Sequence, residues 1–290
     1  MPWFPDLFSA PVLERIRSQG ADQRVAAPVP YFDGLRSGET EALTGSFAGE
    51  PKIHHPIRGR IEGLRAFEWF VAYTNTWMAE SNAVSSPAGR IITPRRGIEE
   101  IMLTLDGDRG RFDLPVTIVA ERDEDGRIVE LRIYYNPWPL TGKHGHRPPL
   151  LQPDPELDEP RDVVAEYLHA LADGDVDAAV AAFEPDGYVR EPAGAQFIDR
   201  GHDELRGLYQ RFFSNGGGIA LEHCTVTDDG SACALEYNIV RWGRSDLLPE
   251  AGIAALVRGA TGKLASAHIY DDAAARVSTG SDPVAGVIAR

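Results

Sequence analysis

The chain has 290 residues, 43% of them hydrophobic and 25% charged, with a formal net charge of −15. That length accommodates two ordinary domains with separate cores, and the composition is that of a soluble globular protein. No apolar run is long enough to span a bilayer, and the first residues lack a charged stretch leading into an apolar one, so the expected compartment is the cytoplasm, with no membrane partner.

Residues 1–28 read as an N-terminal extension with one helix over Pro11–Arg17. A first domain is expected over 29–137, with a long helix at Glu62–Met78 and strands around 100–106, 111–122 and 128–136. On that helix Trp69, Tyr73 and Trp77 recur at i, i+4 and i+8, an aromatic stripe suited to core or interdomain packing. Prolines at 137, 139, 148, 149, 153, 155 and 160 then make residues 138–160 an extended, stiff linker.

A second domain is expected over 161–273. Val163, Val164, Tyr167, Leu168 and Leu171 fall at helical spacing, and Gly174 ends that helix. A second helix covers Asp175–Phe183, a short strand covers Tyr188–Glu191, and a third helix covers His202–Phe213. Longer strands follow at Ile219–Val226, Ala232–Trp242, Gly252–Arg258 and Leu264–Tyr270, and residues 274–290 form a tail. Helices first and an antiparallel meander afterwards means an α+β fold with helices on one side of a curved sheet. Cys224 and Cys233 flank the turn signal Thr227–Gly230, where a disulfide across the hairpin is conceivable; in a cytosolic protein two reduced core thiols are expected, and neither has redox or zinc spacing.

Read against itself at an offset of 136, the chain repeats. Tyr31, Phe47, Ile53 and Pro56 return as Tyr167, Phe183, Val189 and Pro192, and the run from Gly126 to Tyr134 returns from Gly262 to Tyr270. A repeat of this length signals two copies of one domain. The copies differ in charge. Residues 1–152 hold 18 basic and 20 acidic side chains (−2), whereas residues 153–290 hold 11 and 24 (−13), which argues against nucleic acid as a partner.

The element order, with Tyr167, Gly174-Asp175 and the run from Val189 to Gly194, resembles the nuclear transport factor 2-like superfamily, which includes ketosteroid isomerases, SnoaL-like polyketide cyclases and limonene-type epoxide hydrolases. The resemblance covers both copies. It implies two cone-shaped α+β domains, each with three helices on a curved, mostly antiparallel sheet around an apolar interior open at one end. Domains of this kind commonly pair through their sheets, which implies a pseudo-dimer within the chain and leaves further association open.

Alternation along the strand from Tyr188 places Val189 and Glu191 on one face, so if Val189 faces the core, Glu191 enters the cavity. A carboxylate there is desolvated and becomes a proton acceptor near neutral pH, unless it is held in a salt bridge to Arg200 or Arg206. By resemblance, Glu191 stands at the isomerases' general base, just before Pro192, and Tyr167 at the tyrosine that donates to the developing oxyanion. The isomerases' second donor has no match: Ala255 stands there in copy two and Val119 in copy one. Glu222 resembles a second carboxylate of tandem epoxide hydrolases and shares a strand face with Ala220 and Cys224; exposure at the rim is the other reading.

Arg241 and Trp242 are expected at the mouth of the second cone. Copy one keeps Tyr31 but has His55 in place of Glu191, and His54 and His55 cannot both face inward. No metal-ligand or cofactor-binding motif is present in the sequence, so neither a metal nor a cofactor is expected. The expected activity is general acid/base chemistry (isomerisation, cyclisation or epoxide opening) on a small apolar, oxygenated substrate. The alternative is a ligand-binding or protein-interaction module of the same fold that catalyses nothing.

Overall fold

The computed structural model describes residues 44–272, except 46, 108, 109, 159 and 193–196. The helix expected at Pro11–Arg17, Tyr31 and the 274–290 tail lie outside the described residues. The chain forms two compact units, one of residues up to Tyr135 together with Thr227–Asp229, the other of Asn136–Val226 and the residues from Gly230 onward.

The first unit contains β1 (Lys52–His55), β2 (Gly59–Glu62), α1 (Leu64–Glu80), β3 (Val84–Ile92), β4 (Arg96–Gly107), β5 (Gly110–Arg122) and β6 (Ile128–Tyr134). Its sheet has the order β2-β1-β6-β5-β4-β3, with β1 and β6 parallel. The buried positions of α1 are Phe67, Phe70, Val71, Thr74 and Met78, the spacing of one helical face. Trp69 and Tyr73 of the expected aromatic stripe lie on the other face, 56% and 43% exposed, stacked on each other with the Arg58 guanidinium over the Tyr73 ring.

The second unit contains α2 (Trp138–Thr141), α3 (Val163–Asp173), α4 (Val176–Ala181), β7 (Phe183–Arg190), β8 (Ile198–Arg200), α5 (Gly201–Phe212), β9 (Ile219–Asp228), β10 (Ala232–Trp242), β11 (Ser245–Arg258) and β12 (Leu264–Tyr270). The strand order is β8-β7-β12-β11-β10-β9, with β7 and β12 parallel. This is the order of the first sheet, and the pairings repeat at the offset seen in the sequence. Ile53 faces Leu131 as Val189 faces Ala267, and Val119 faces Arg132 as Ala255 faces His268. Even the register irregularity at Glu121/Arg122 returns at Val257/Arg258.

Local chemistry sets the helix ends. The Asp162 carboxylate accepts from the Val164 amide at 3.0 Å, satisfying one orphan donor of α3, and Asp175 does the same for α4 through Ala178 at 2.9 Å. Gly174 closes α3 at φ 74°, a conformation glycine adopts without steric cost. The second helix stops at Ala181, short of the expected Phe183, because Phe183 already pairs with Leu264 and opens β7. The buried face of α3 packs with Phe183, Leu205, Leu208 and Tyr209 into one core, each large side chain contributing on the order of 2 kcal/mol. Cys224 and Cys233 are both buried thiols.

The proline-rich segment, expected as a linker, begins with α2 and then lies along strands of the second unit. Arg147 O accepts from the Ala251 amide at 2.9 Å, Leu151 O accepts from Asn238 Nδ2 at 3.2 Å, and the Asp154 amide donates to His223 O at 3.1 Å. His144 Nδ1 meets Asp272 Oδ1 at 2.6 Å. Proline cannot continue a helix or a central strand, but its extended backbone suits such a strap.

The end of α3 and the approach to β9 touch backbone to backbone. A Cβ on Gly218 would stand 2.1 Å from Leu171 O and 2.3 Å from Ala172 O, and one on Gly174 would stand 2.7 Å from the Gly217 carbonyl carbon. Backbone on both sides cannot yield as a side-chain tip can. Gly218→Ala is expected to destabilise the second unit by about 3 kcal/mol, read from its urea unfolding midpoint; an unchanged midpoint would contradict this close approach.

Candidate functional site

A cavity of about 60 Å³ lies inside the second unit between α3, the end of β7, α5 and the inner face of β9–β12. Leucine, isoleucine, valine and aromatic side chains make most of its wall; the polar exceptions are Tyr167, Glu191, Tyr237 and Asp271. Tyr167 and Glu191 were expected here. Tyr237 and Asp271 were not.

Glu191 follows directly on β7, on the face of the buried Val189, and its side chain is 22% exposed. Val189 pairs with Asp199 on β8, which sets Asp199 on the same face. The Glu191 carboxyl is pushed up to about 7, first by burial, then by the Asp199 charge and by the hydrogen bond its protonated form donates to Asp199. Arg211 opposes this, with its guanidinium 3.6 Å from Glu191 and 3.3 Å from Asp199. The arginine loses because it is 60% exposed and divided between two carboxylates, so solvent screens it. The cation in contact is thus Arg211 of α5. Arg200 instead donates to Asp186 O and Arg206 pairs with Asp177, both away from Glu191.

Tyr167, on the buried face of α3, is 3% exposed, and its oxygen accepts a hydrogen bond from the Tyr209 hydroxyl at 3.1 Å. Burial pushes the Tyr167 phenol up to about 12, with the Tyr209 hydrogen bond acting against the rise. It therefore keeps its proton at neutral pH and acts as a donor, polarised by the hydrogen bond it receives. Tyr209, also pushed well above the ordinary phenol range by burial and by Tyr167 and Asp199, is the residue behind the donor.

On the opposite wall the Tyr237 hydroxyl donates to Asp271 Oδ2 at 2.8 Å, both groups buried. Gly252 pairs with Tyr237 across β10–β11, and a Cβ there would come within 2.5 Å of the Tyr237 ring and 3.0 Å of Asp271 Cβ. The missing side chain is what lets this pair sit over the sheet.

The other expected residues fall elsewhere. Glu222 is exposed: on β9 it is Leu221 that faces the cavity, and alternation sends Glu222 outward. Trp242 lines the cavity, 5% exposed, with its indole N–H donating to Phe212 O at 2.6 Å, so its neighbour Arg241 points away into solvent. His55 in the first unit is buried, and its Nδ1 accepts from the Ile57 and Arg58 amides, both at 3.2 Å. That places its proton on Nε2, 3.4 Å from the Tyr135 hydroxyl, and makes the imidazole a cap for the turn after β1. Among the described residues no group of three or more His, Cys, Asp or Glu side chains could hold a metal ion. No described helix is long and apolar enough to cross a membrane.

Comparison with known proteins bears on this unit. Residues 164–267 match the SnoaL-like domain family. The SnoaL-like domain thus contains Tyr167, Glu191, Tyr209 and Tyr237, while Asp271 follows four residues beyond the match. No curated protein matches the chain in sequence. Similar solved structures include an NTF2-like protein of unknown function from Cytophaga hutchinsonii, at 19% identity over 38% of this chain and 87% of that one, with a TM-score of 0.31. A candidate polyketide cyclase from Sinorhizobium meliloti is 19% identical over 36% of this chain and 88% of its own, with a TM-score of 0.29. An NTF-2 like protein of unknown function from Burkholderia xenovorans is 21% identical over 38% and 80%, with a TM-score of 0.31.

A carboxyl whose folded pKa lies above its ordinary 4.5 costs stability once ionised. Below pH 4.5 Glu191 is protonated in both the folded and the unfolded chain and costs nothing; between 4.5 and about 7 the unfolded chain releases the proton first and stability falls. The loss levels off above about pH 7, at roughly 3 kcal/mol. Glu191→Gln removes this dependence, so its stability relative to the parent should rise by about that amount between pH 4 and pH 8. Thermal unfolding at the two pH values measures it, and a constant difference would show that the carboxyl is not desolvated.

Proposed function

We propose that the second unit is a cofactor-independent general acid/base site for a small apolar, oxygenated molecule, with Glu191 as the base and Tyr167 as the donor to the developing oxyanion. The observation that carries this is the Glu191 carboxyl, held near neutrality in an apolar cavity also lined by the Tyr167 phenol. A base whose pKa sits close to the working pH combines an adequate ionised fraction with a useful driving force for proton transfer.

In the favoured sequence, ionised Glu191 takes a proton from the carbon next to a carbonyl; the C–H electron pair becomes a carbon–carbon π bond and the carbonyl π pair moves onto the oxygen, giving an enolate. Tyr167 donates a hydrogen bond to that oxygen, and its own acceptor bond from Tyr209 strengthens it for the task. Return of the proton from Glu191 to another carbon gives isomerisation; attack of the enolate on a second carbonyl gives aldol-type cyclisation. Epoxide opening needs a second carboxyl, and the residue suited to that role is Asp271, which lines the cavity, rather than the exposed Glu222.

The first unit is read as a divergent copy of the same domain. The common strand order and the constant register offset support duplication. At that offset Glu191, Tyr237 and Asp271 correspond to His55, Ile101 and Tyr135, and His55 is engaged as a turn cap.

One observation favours binding without turnover: about 60 Å³ is far below the several hundred Å³ usual for sites that enclose a whole ligand. A single experiment separates the readings. Deuterium wash-in at the α-carbons of cyclopentanone in D₂O, followed by proton NMR, is expected to be accelerated by the protein and to rise with pH through about 7. Glu191→Gln should lower the rate by a factor of roughly 100 or more, and Tyr167→Phe by a smaller one. Cyclopentanone binding with no acceleration, or acceleration that survives Glu191→Gln, would overturn the catalytic reading.

A further inference from the structure

Three hollows of the second unit share walls. An open groove of about 960 Å³ runs between the proline-rich strap at Pro153–Arg161 and the outer end of β9, at Leu221, Glu222 and His223. A smaller hollow of about 120 Å³ lies between β9 and the face of α3 that carries Ala165, Leu168, His169 and Ala172. It shares Pro160, Leu221 and His223 with the groove, and Leu168 and Leu221 with the Glu191 cavity. Leu221 therefore borders all three spaces, and Leu168 stands between the inner two.

We infer that small molecules reach the Glu191 cavity sideways, between α3 and β9, through a gate formed by Leu168 and Leu221, and that the outer groove admits uncharged or cationic molecules in preference to anions. The inference rests on the reading of that cavity as a ligand site, and it names the residues that control entry and the class of molecule they pass.

The fold explains why the opening lies here. β9 is the edge strand of its sheet, and its margin is met at His223 by the strap, through the Asp154 amide, rather than by a further strand. At their lower ends α3 and β9 are pinned by the glycine contacts at Gly174, Gly217 and Gly218, where no side chain intervenes. Past that seam the 120 Å³ hollow separates helix from strand, and the partly buried side chains of Leu168 and Leu221 border both it and the inner cavity. Leucines are held by dispersion alone and change rotamer quickly. The Phe212–Trp242 end is tied by directional bonds: the Trp242 indole donates to Phe212 O at 2.6 Å, and Asn215 Nδ2 donates to Trp242 O at 3.2 Å and to Ser245 Oγ at 3.0 Å. Parting two leucines breaks no hydrogen bond, whereas opening the tryptophan end breaks several.

Selection by charge follows from the groove's lining. Asp154, Asp158 and Glu222 face one arginine, Arg161, which stands 3.4 Å from Asp158. A mouth with that balance repels anions on approach and leaves neutral molecules unaffected.

Collisional quenching of Trp242, which lies on the inner side of the gate, tests this without any substrate. The Trp242 signal is taken as the difference between the parent and Trp242→Phe, with acrylamide as the neutral quencher and iodide as the anion. Leu221→Ala is expected to raise the acrylamide quenching constant of Trp242 at least threefold, and Leu168→Phe to lower it by at least half, while iodide remains several-fold weaker than acrylamide throughout. Leu235→Ala deletes a cavity leucine of equal size on β10, away from the gate, and controls for general loosening. The lateral route is overturned if Leu221→Ala leaves quenching unchanged or if Leu235→Ala raises it equally; charge selection is overturned if iodide matches acrylamide. Either result leaves the cyclopentanone exchange experiment to judge the acid/base reading on its own.

Discussion

Removing one carboxyl from water and placing it beside another sets the terms for the second unit. Glu191 and Asp199 arrive on one face because β7 and β8 pair there, and the cavity's apolar wall denies Glu191 the solvent that would let it ionise freely. The arginine that could neutralise them stands mostly in water and serves both. The arrangement therefore stores a proton that is easily lost and regained. The Tyr209–Tyr167 pair complements it, since a phenol pushed far above its ordinary range remains a donor under the conditions in which the carboxyl becomes an acceptor. Burial raises both groups together and so keeps the phenol well above the carboxyl.

Much of this was legible in the sequence, and the limit of legibility has a definite cause. The sequence repeats at a constant offset, and the strand pairings of the two sheets recur at that same offset. The α3 helix could be read from its apolar spacing and its terminal Gly174. Glu191 could be placed because Val189 two residues earlier fixed the face. For Glu222 alternation left both an inward face and exposure at the rim open, because it divides a strand into two faces but does not say which is inside; Arg241 and Trp242 were both expected at the mouth, although adjacent strand residues face opposite sides. In both cases a larger apolar neighbour, Leu221 or Trp242, took the inner side. Arg211 was passed over in favour of Arg200 and Arg206 because contact between α5 and the end of β7 is tertiary and leaves no mark in spacing.

Tyr237 and Asp271 did leave a signal. Leu235, Tyr237 and Ile239 share one face of β10 by simple alternation, and that face is the cavity wall. Their pairing could not be foreseen, because it depends on Gly252 on the neighbouring strand being without a side chain. In the first unit, whose sheet has the same strand order, Ile101 and Tyr135 stand at the offset positions and His55 caps a turn.

The strap also decides how much polypeptide the second unit requires to stand alone. Family similarity begins at residue 164, yet Asn238, Asp272 and the Ala251 amide find partners upstream, between His144 and Leu151. A fragment cut to residues 164–267 would strip Asn238 and the Ala251 amide of their partners, lose Asp272 altogether and expose a stretch of sheet margin. The autonomous folding segment is accordingly about twenty residues longer at its start than similarity alone would draw it.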